Sequence, residues 1–149
     1  MRLQNPKYLI FVPLLLLFLA SHVFAAKNLL TGKAIKITDG DTVVISQIEG
    51  GAFFKYRFYG IDAPETQKTS KRGCLKKPGQ PFGEESAREL KRLILGEIVE
   101  VTLTGDKTYN IEVCRIYKDG IDVNLEMVKR GYAWAYRHYL HRPFASELY

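Results

Sequence analysis

Apolar positions after residue 25 recur with two different periods, and the switch between them marks out the elements. From Lys33 to Thr38 the chain alternates, which places Ile35 and Ile37 on one face of a strand. Asp39-Gly40 supplies a turn, and Thr42–Ser46 is a second, β-branched run. Gly50-Gly51 makes another turn before Ala52–Asp62, a third strand with Tyr56 and Phe58 facing one way and Lys55, Arg57 and Tyr59 the other. Residues 66–81 are rich in Lys, Gly and Pro and read as a mobile surface loop. The period then changes. Across Phe82–Leu95, Ala87, Leu90 and Ile94 share one stripe, Glu84 and Glu85 occupy the first turn, Lys91 and Arg92 lie near the end, and Gly96 closes a helix. Alternation returns in Glu97–Thr104 through Val99, Val101 and Leu103, Asn110–Tyr117 is a fifth strand stopped by Asp119-Gly120, and Val123–Arg130 is a short helix ended by Gly131.

Three strands, a helix, two strands and a helix make a mainly β, α+β chain. That order suits a five-stranded OB-fold barrel with a helix between its third and fourth strands. The fold commonly holds oligonucleotides, but a fold does not set a function.

Residues 1–25 follow neither period. Arg2 and Lys7 flank the start, Leu9–Ala20 is a twelve-residue apolar run, and Val23-Phe24-Ala25 offers the small residues of a cleavage site. The run is shorter than the roughly 20 residues of a spanning helix. The expectation is a signal peptide over 1–25 and a mature domain over 26–149, with an uncleaved N-terminal anchor as the alternative. The product is then expected to be secreted or periplasmic, monomeric, and free of stable membrane association after cleavage.

Composition refines this picture modestly. The 149 residues carry a formal charge of +6, and loss of Arg2 and Lys7 with the leader lowers it to +4. Such a balance suits a polyanionic partner without requiring one. The length permits one core without a disulfide lattice and excludes a multi-span membrane protein or a long repeat array. Cys74 and Cys114 either form a bridge in an oxidising compartment or remain a loop thiol and a small strand residue. Nothing supplies four zinc ligands at metal spacing.

Two stretches hold most of the chemistry: Asp39-Gly40-Asp41-Thr42 and Arg57 through Thr66, RFYGIDAPET. Aspartates around a glycine alone suit an ordinary hairpin turn as well as a site. The second stretch is harder to read blandly. Arg57 and Asp62 interrupt an apolar strand, where charges are rare unless paired or functional, and Ala63-Pro64 re-aims Glu65. Carboxylates from two segments are able to hold a hard cation such as Ca²⁺. That cation and an arginine would neutralise charge on a phosphate while a carboxylate activates water.

At these residues the chain resembles the staphylococcal nuclease (thermonuclease) family. The likeness runs from about Lys33 to Tyr139 and rests on DGDT, RFYGIDAPET, PFGEESA at the helix start, and DGIDVNLEMVKRGYAWAY. It implies an OB-fold and Ca²⁺-dependent cleavage of DNA and RNA. It also implies that Asp41 and Asp62 are the calcium carboxylates, with the Ala63 carbonyl as a further oxygen. Arg57 corresponds to the arginine on the scissile phosphate and Glu65 to the carboxylate that activates water. Tyr109 and Tyr139 stand where the family places tyrosines beside the nucleotide, and Arg137 replaces another tyrosine. The basic loop Lys68, Lys71, Arg72, Lys76 and Lys77 either steers a phosphate backbone or is simply solvated.

The chain departs from the family pattern in two places. Aligning Tyr109-Asn110 and Arg115-Ile116-Tyr117 puts Ile111 where the second catalytic arginine belongs. Loss of a transition-state arginine costs on the order of 10³–10⁵ in rate. The expectation is therefore a nuclease that cleaves slowly or not at all. The rival is a non-catalytic OB-fold nucleic-acid-binding protein, and a decayed product with neither role is a third reading. Arg115 is not expected to substitute for the lost arginine, and Lys107 only if its loop bends differently. Relatives also continue into a third helix. Here the sequence ends at Phe144–Tyr149, so that helix is expected to be truncated and the domain less stable for it.

Overall fold

The computed structural model describes residues 29–137. Strands β1 (Leu29–Asp39), β2 (Thr42–Gln47) and β3 (Phe53–Phe58) form an antiparallel meander, and β7 (Ile98–Thr108) takes the other edge of β1. β8 (Ile111–Lys118) pairs antiparallel with β7 and parallel with β3, which closes a five-stranded barrel. Helix α1 (Gly83–Ile94) lies between the third and fourth barrel strands in sequence, and α2 (Val123–Lys129) follows β8 and the two-residue β9 (Ile121–Asp122). This is the OB-fold α+β architecture expected from the element order. Among the described residues, no helix is long and apolar enough to cross a membrane.

The core fills from both layers. Val43, Ile45, Tyr56, Phe58, Val99, Val101 and Ile116 point inward from the barrel, and Ala87, Leu90, Ile94 and Met127 meet them from the helices. Burying each large apolar side chain contributes roughly 1.5–3 kcal/mol, so this inward face outweighs local propensity.

Three sequence expectations need correction. Ile35 and Ile37 do not share a face: a register shift between Ala34 and Lys36 turns Ile35 outward, while Ala34 and Ile37 stay buried. The third strand stops at Phe58 rather than Asp62. Tyr59 and Gly60 turn the chain, Gly60 with φ 71°, and Ile61–Asp62 becomes β4, paired with β10 (Trp134–Ala135). Tyr59 is consequently buried rather than outward. Finally, residues 66–81 contain a hairpin, β5 (Lys68–Thr69) against β6 (Leu75–Lys77), closed by a Ser70–Cys74 turn with Gly73 at φ 79°. Cys74 lies exposed on this hairpin and Cys114 is buried in the barrel, so the two are unbridged.

One buried amide ties the helical side of the barrel to the turn before β4. Asn124 accepts from the Ile116 N–H at 3.1 Å and donates to the carbonyls of Tyr59 at 3.0 Å and Cys114 at 3.2 Å. With its polar atoms satisfied, this side chain stabilises rather than penalises the core.

Candidate active site

The Asp39-Gly40-Asp41-Thr42 turn joins β1 to β2, and α1 presses on it. A Cβ at Gly40 would lie 1.8 Å from Ser86 Oγ and 2.9 Å from Ala63 Cβ, so only glycine fits. That packing fixes Asp41, whose carbonyl accepts from the Phe58 N–H at 2.8 Å. The Asp41 carboxylate is buried. Its Oδ1 accepts from the Thr42 hydroxyl at 2.8 Å, and its Oδ2 accepts from the Ala63 N–H at 3.3 Å and lies 2.9 Å from Arg57 Nη2. Burial pushes this carboxyl above its ordinary range, and the Arg57 charge and the two hydrogen bonds only partly offset it.

Arg57 sits on β3 opposite Thr42, and the Tyr59–Gly60 turn folds β4 back beside it. Asp62 Oδ1 therefore accepts from the same Nη2 at 2.8 Å. One guanidinium nitrogen thus bridges two carboxylates from separate segments. These are hard oxygen donors already converging on positive charge, which is the chemistry Ca²⁺ prefers. Among the described residues, no three His, Cys, Asp or Glu side chains gather closely enough to hold a metal. An ion at this pair would draw its other oxygens from backbone, water and phosphate.

A cleft of about 420 Å³ opens beside the pair, with Arg57 and Asp62 in one wall and Asp106–Tyr109 of the β7–β8 hairpin in another. Tyr109 is 94% exposed and held at φ 49°, with its ring free to meet a base at the rim. Lys107 also lines the cleft, its Nζ 2.6 Å from Glu112 Oε1 across the hairpin. Ile111 sits half-buried opposite Thr108 at the hairpin end and brings no charge. The Arg115 guanidinium is spent elsewhere, buried against Asp122 and over the Tyr117 ring at 5.4 Å.

Glu65 and Asp41 do not line this cleft among the described residues. The Glu65 backbone is clamped by Gln80: its N–H donates to Gln80 Oε1 at 2.9 Å, and its carbonyl accepts from the Gln80 N–H at 2.8 Å. Its carboxylate faces the β5–β6 hairpin, with Oε2 2.7 Å from Lys68 Nζ and 3.3 Å from Lys77 Nζ. Burial raises this carboxyl, but hydrogen bonds from the two lysines and their charges outweigh it and hold the group below its ordinary value. Lys68 also reaches Asp39 Oδ2 at 3.2 Å, and Asp39 Oδ1 accepts from the Thr66 hydroxyl at 2.7 Å, bracing the segment after Asp62.

The family model described as "Staphylococcal nuclease homologue" matches residues 55–148, a span that includes Arg57, Asp62, Glu65 and both walls of the cleft. The chain belongs to the staphylococcal nuclease family. It is a nuclease by that membership. An "Uncharacterized endonuclease" of Haemophilus influenzae is 34% identical over 139 residues, covering 93% of this chain and 70% of that protein. "Endonuclease Htp3" of Saprolegnia parasitica is 31% identical over 131 residues, 76% of this chain and 59% of its own length. An "Uncharacterized endonuclease" of Escherichia coli O157:H7 is 29% identical over 130 residues, covering 87% and 74%.

Within this nuclease frame the structure brings Asp41, Arg57, Asp62 and the Ala63 N–H together, sets Tyr109 at the cleft rim, and holds the Glu65 side chain against lysines. Tyr139, Phe144–Tyr149 and residues 1–25, the expected signal peptide, lie outside the described residues. Sequence reasoning missed Tyr136, which lines the cleft and whose N–H donates to the Gly60 carbonyl at 2.8 Å. The alternation Tyr132, Trp134, Tyr136 was the available signal. It also missed Gln80 as the clamp on Glu65, for which the sequence carries no signal.

Proposed function

We propose that this nuclease is an exported, Ca²⁺-dependent endonuclease acting on DNA and RNA, slowed by Ile111 in the place of a second arginine. The observation that carries the reading is the convergence of Asp41 and Asp62 on one Arg57 nitrogen beside an open cleft. Asp41 and Asp62 would hold the ion, with the Ala63 carbonyl as the further oxygen the family likeness suggests. When bound, Ca²⁺ supplies positive charge against the phosphate.

The chain's own groups divide the remaining work. Arg57 directs its other N–H donors at the phosphate oxygens, where charge builds as the water oxygen bonds to phosphorus and an ester P–O bond breaks. Glu65 takes the proton of the attacking water, and the departing oxygen is protonated from solvent. Tyr109 offers a face to a base. Ile111 leaves the developing charge less stabilised, and this favours the second reading, a non-catalytic binder.

The test is cleavage of closed circular DNA, linear DNA and RNA in Ca²⁺ and in EDTA, alongside binding of a single-stranded oligonucleotide. Calcium-dependent internal cuts lost on Asp62→Asn are expected. Binding without cleavage would move the protein to the second reading, and absence of both would remove both. N-terminal sequencing of exported protein is expected to begin near Ala26.

A further inference from the structure

The ten residues Lys68–Lys77 carry five cationic side chains and no acidic one, yet two of those lysines face inward onto Glu65. Three fixed points surround that contact. The Glu65 main chain is clamped by Gln80, and Gly83 packs so closely on it that a Cβ would lie 2.2 Å from the Glu65 carbonyl oxygen. The hairpin root is tied to α1 where the Gln67 N–H donates to Glu84 Oε1 at 3.3 Å. Lys68 is anchored independently of Glu65, through the buried Asp39 at 3.2 Å. Lys77, its side chain 56% exposed, meets Glu65 on the solvent side of the contact. Removing the carboxylate would leave two ammonium groups side by side, one pre-positioned, with Lys71, Arg72 and Lys76 exposed around them.

We propose that the β5–β6 hairpin is a substrate-operated latch. Lys68 and Lys77 hold Glu65 away from the reaction in the resting protein, and a phosphate of a bound nucleic acid strand takes its place on the two lysines and releases it. This rests on the nuclease reading, with Glu65 as the acceptor of the water proton. The exchange is balanced in charge: one anion leaves two cations and another arrives. The strand holds the advantage because its phosphates come in series, and each lysine engaged releases condensed counterions. A small phosphodiester that fills the cleft but does not reach the hairpin gains nothing from the latch. The two lysines are positioning residues, and the hairpin makes the enzyme discriminate polymer from fragment.

Two measurements test this, with Lys77→Met as the variant that keeps the Lys68–Asp39 anchor and Lys68→Met/Lys77→Met as the full release. In EDTA, a phosphorothioate oligothymidylate is titrated into ¹³C-labelled protein. The Glu65 carboxyl resonance is expected to move to the position it holds in the double variant. The slope of log affinity against log salt is expected to fall by about 0.7 for each lysine removed. In Ca²⁺, turnover of a nitrophenyl phosphodiester of a single nucleoside is expected to rise several-fold in Lys77→Met, while KM for a long strand rises and its kcat holds. If the oligonucleotide shifts Arg57 and Tyr109 signals while Glu65 stays put, the latch is wrong and the nuclease reading stands. If the oligonucleotide binds neither in EDTA nor in Ca²⁺, both fall.

Discussion

Arg57 Nη2 lies 2.9 Å from Asp41 Oδ2, and Asp41 is one of the most deeply buried carboxylates described in the protein. The contact joins the β1–β2 turn to β3 and pairs a buried carboxylate with the arginine that lines the cleft. Removing one partner leaves the other charge without compensation, at a cost of about 3 kcal/mol or more. Arg57→Ala is therefore expected to lower stability on that scale and to abolish cleavage. Arg57→Lys should recover much of the stability, because a point charge still meets Asp41, but little of the activity, because the planar fork is gone. Urea melts read beside DNA cleavage check this. Equal recovery of both by lysine would contradict it.

Ile111 opens β8 opposite Thr108, half-buried at the end of the hairpin that walls the cleft. Half-buried at a hairpin end beside the cleft-lining Thr108 and Tyr109, position 111 is expected to accept a longer side chain without disturbing the core. Ile111→Arg is expected to raise kcat by about tenfold or more and to leave Tm little changed. An unchanged kcat would mean that Ile111 is not what limits the rate.

Gly83 starts α1 directly beneath the Glu65 main chain. With Cβ-to-oxygen and Cβ-to-carbon approaches of 2.2 and 2.7 Å, backbone itself would have to shift. Gly83→Ala should cost about 2–3 kcal/mol as an overpacking change and should displace Glu65. Thermal unfolding and the Glu65 carboxyl resonance would report the two effects separately. Wild-type stability in the alanine variant would rule the contact out as a constraint.

The thiols divide sharply. Cys114 is buried in the barrel, and that burial holds its thiol far above the ordinary range, whereas Cys74 is exposed on the hairpin. A thiol reagent is expected to modify one cysteine in the native protein and two after unfolding. Mass spectrometry of the peptides identifies which. Modification of Cys114 under native conditions would show that the barrel opens.

Protonation gives a check with a definite sign. The folded Glu65 carboxyl is held below its ordinary value, because the bonds and charges of Lys68 and Lys77 outweigh burial. The stability it contributes is complete above the ordinary glutamate range and is lost as pH falls through the depressed value. The acid limb of the stability curve should therefore shrink in Glu65→Gln. An unchanged limb would mean the ion pairs do not contribute in solution.

Much of this protein is determined by local pattern alone. The β-branched run Thr42–Ser46, the alternation at Glu97–Thr104 and the Ala87–Leu90–Ile94 stripe set the elements, because a side chain's face follows from backbone period. Arg57 and Asp62 stood out as charges in an otherwise apolar run, whereas Asp41, in a turn, was singled out only through the family likeness. Tertiary structure decided the rest. The bulge that turns Ile35 out, the Gly60 turn that folds Asp62 back onto Arg57, and the parallel β3–β8 pairing that closes the barrel depend on contacts far apart in sequence. So does the orientation of Glu65. Its identity is local, but its direction comes from Gln80, Gly83, Lys68 and Lys77, brought around it only once the hairpin and helix have packed.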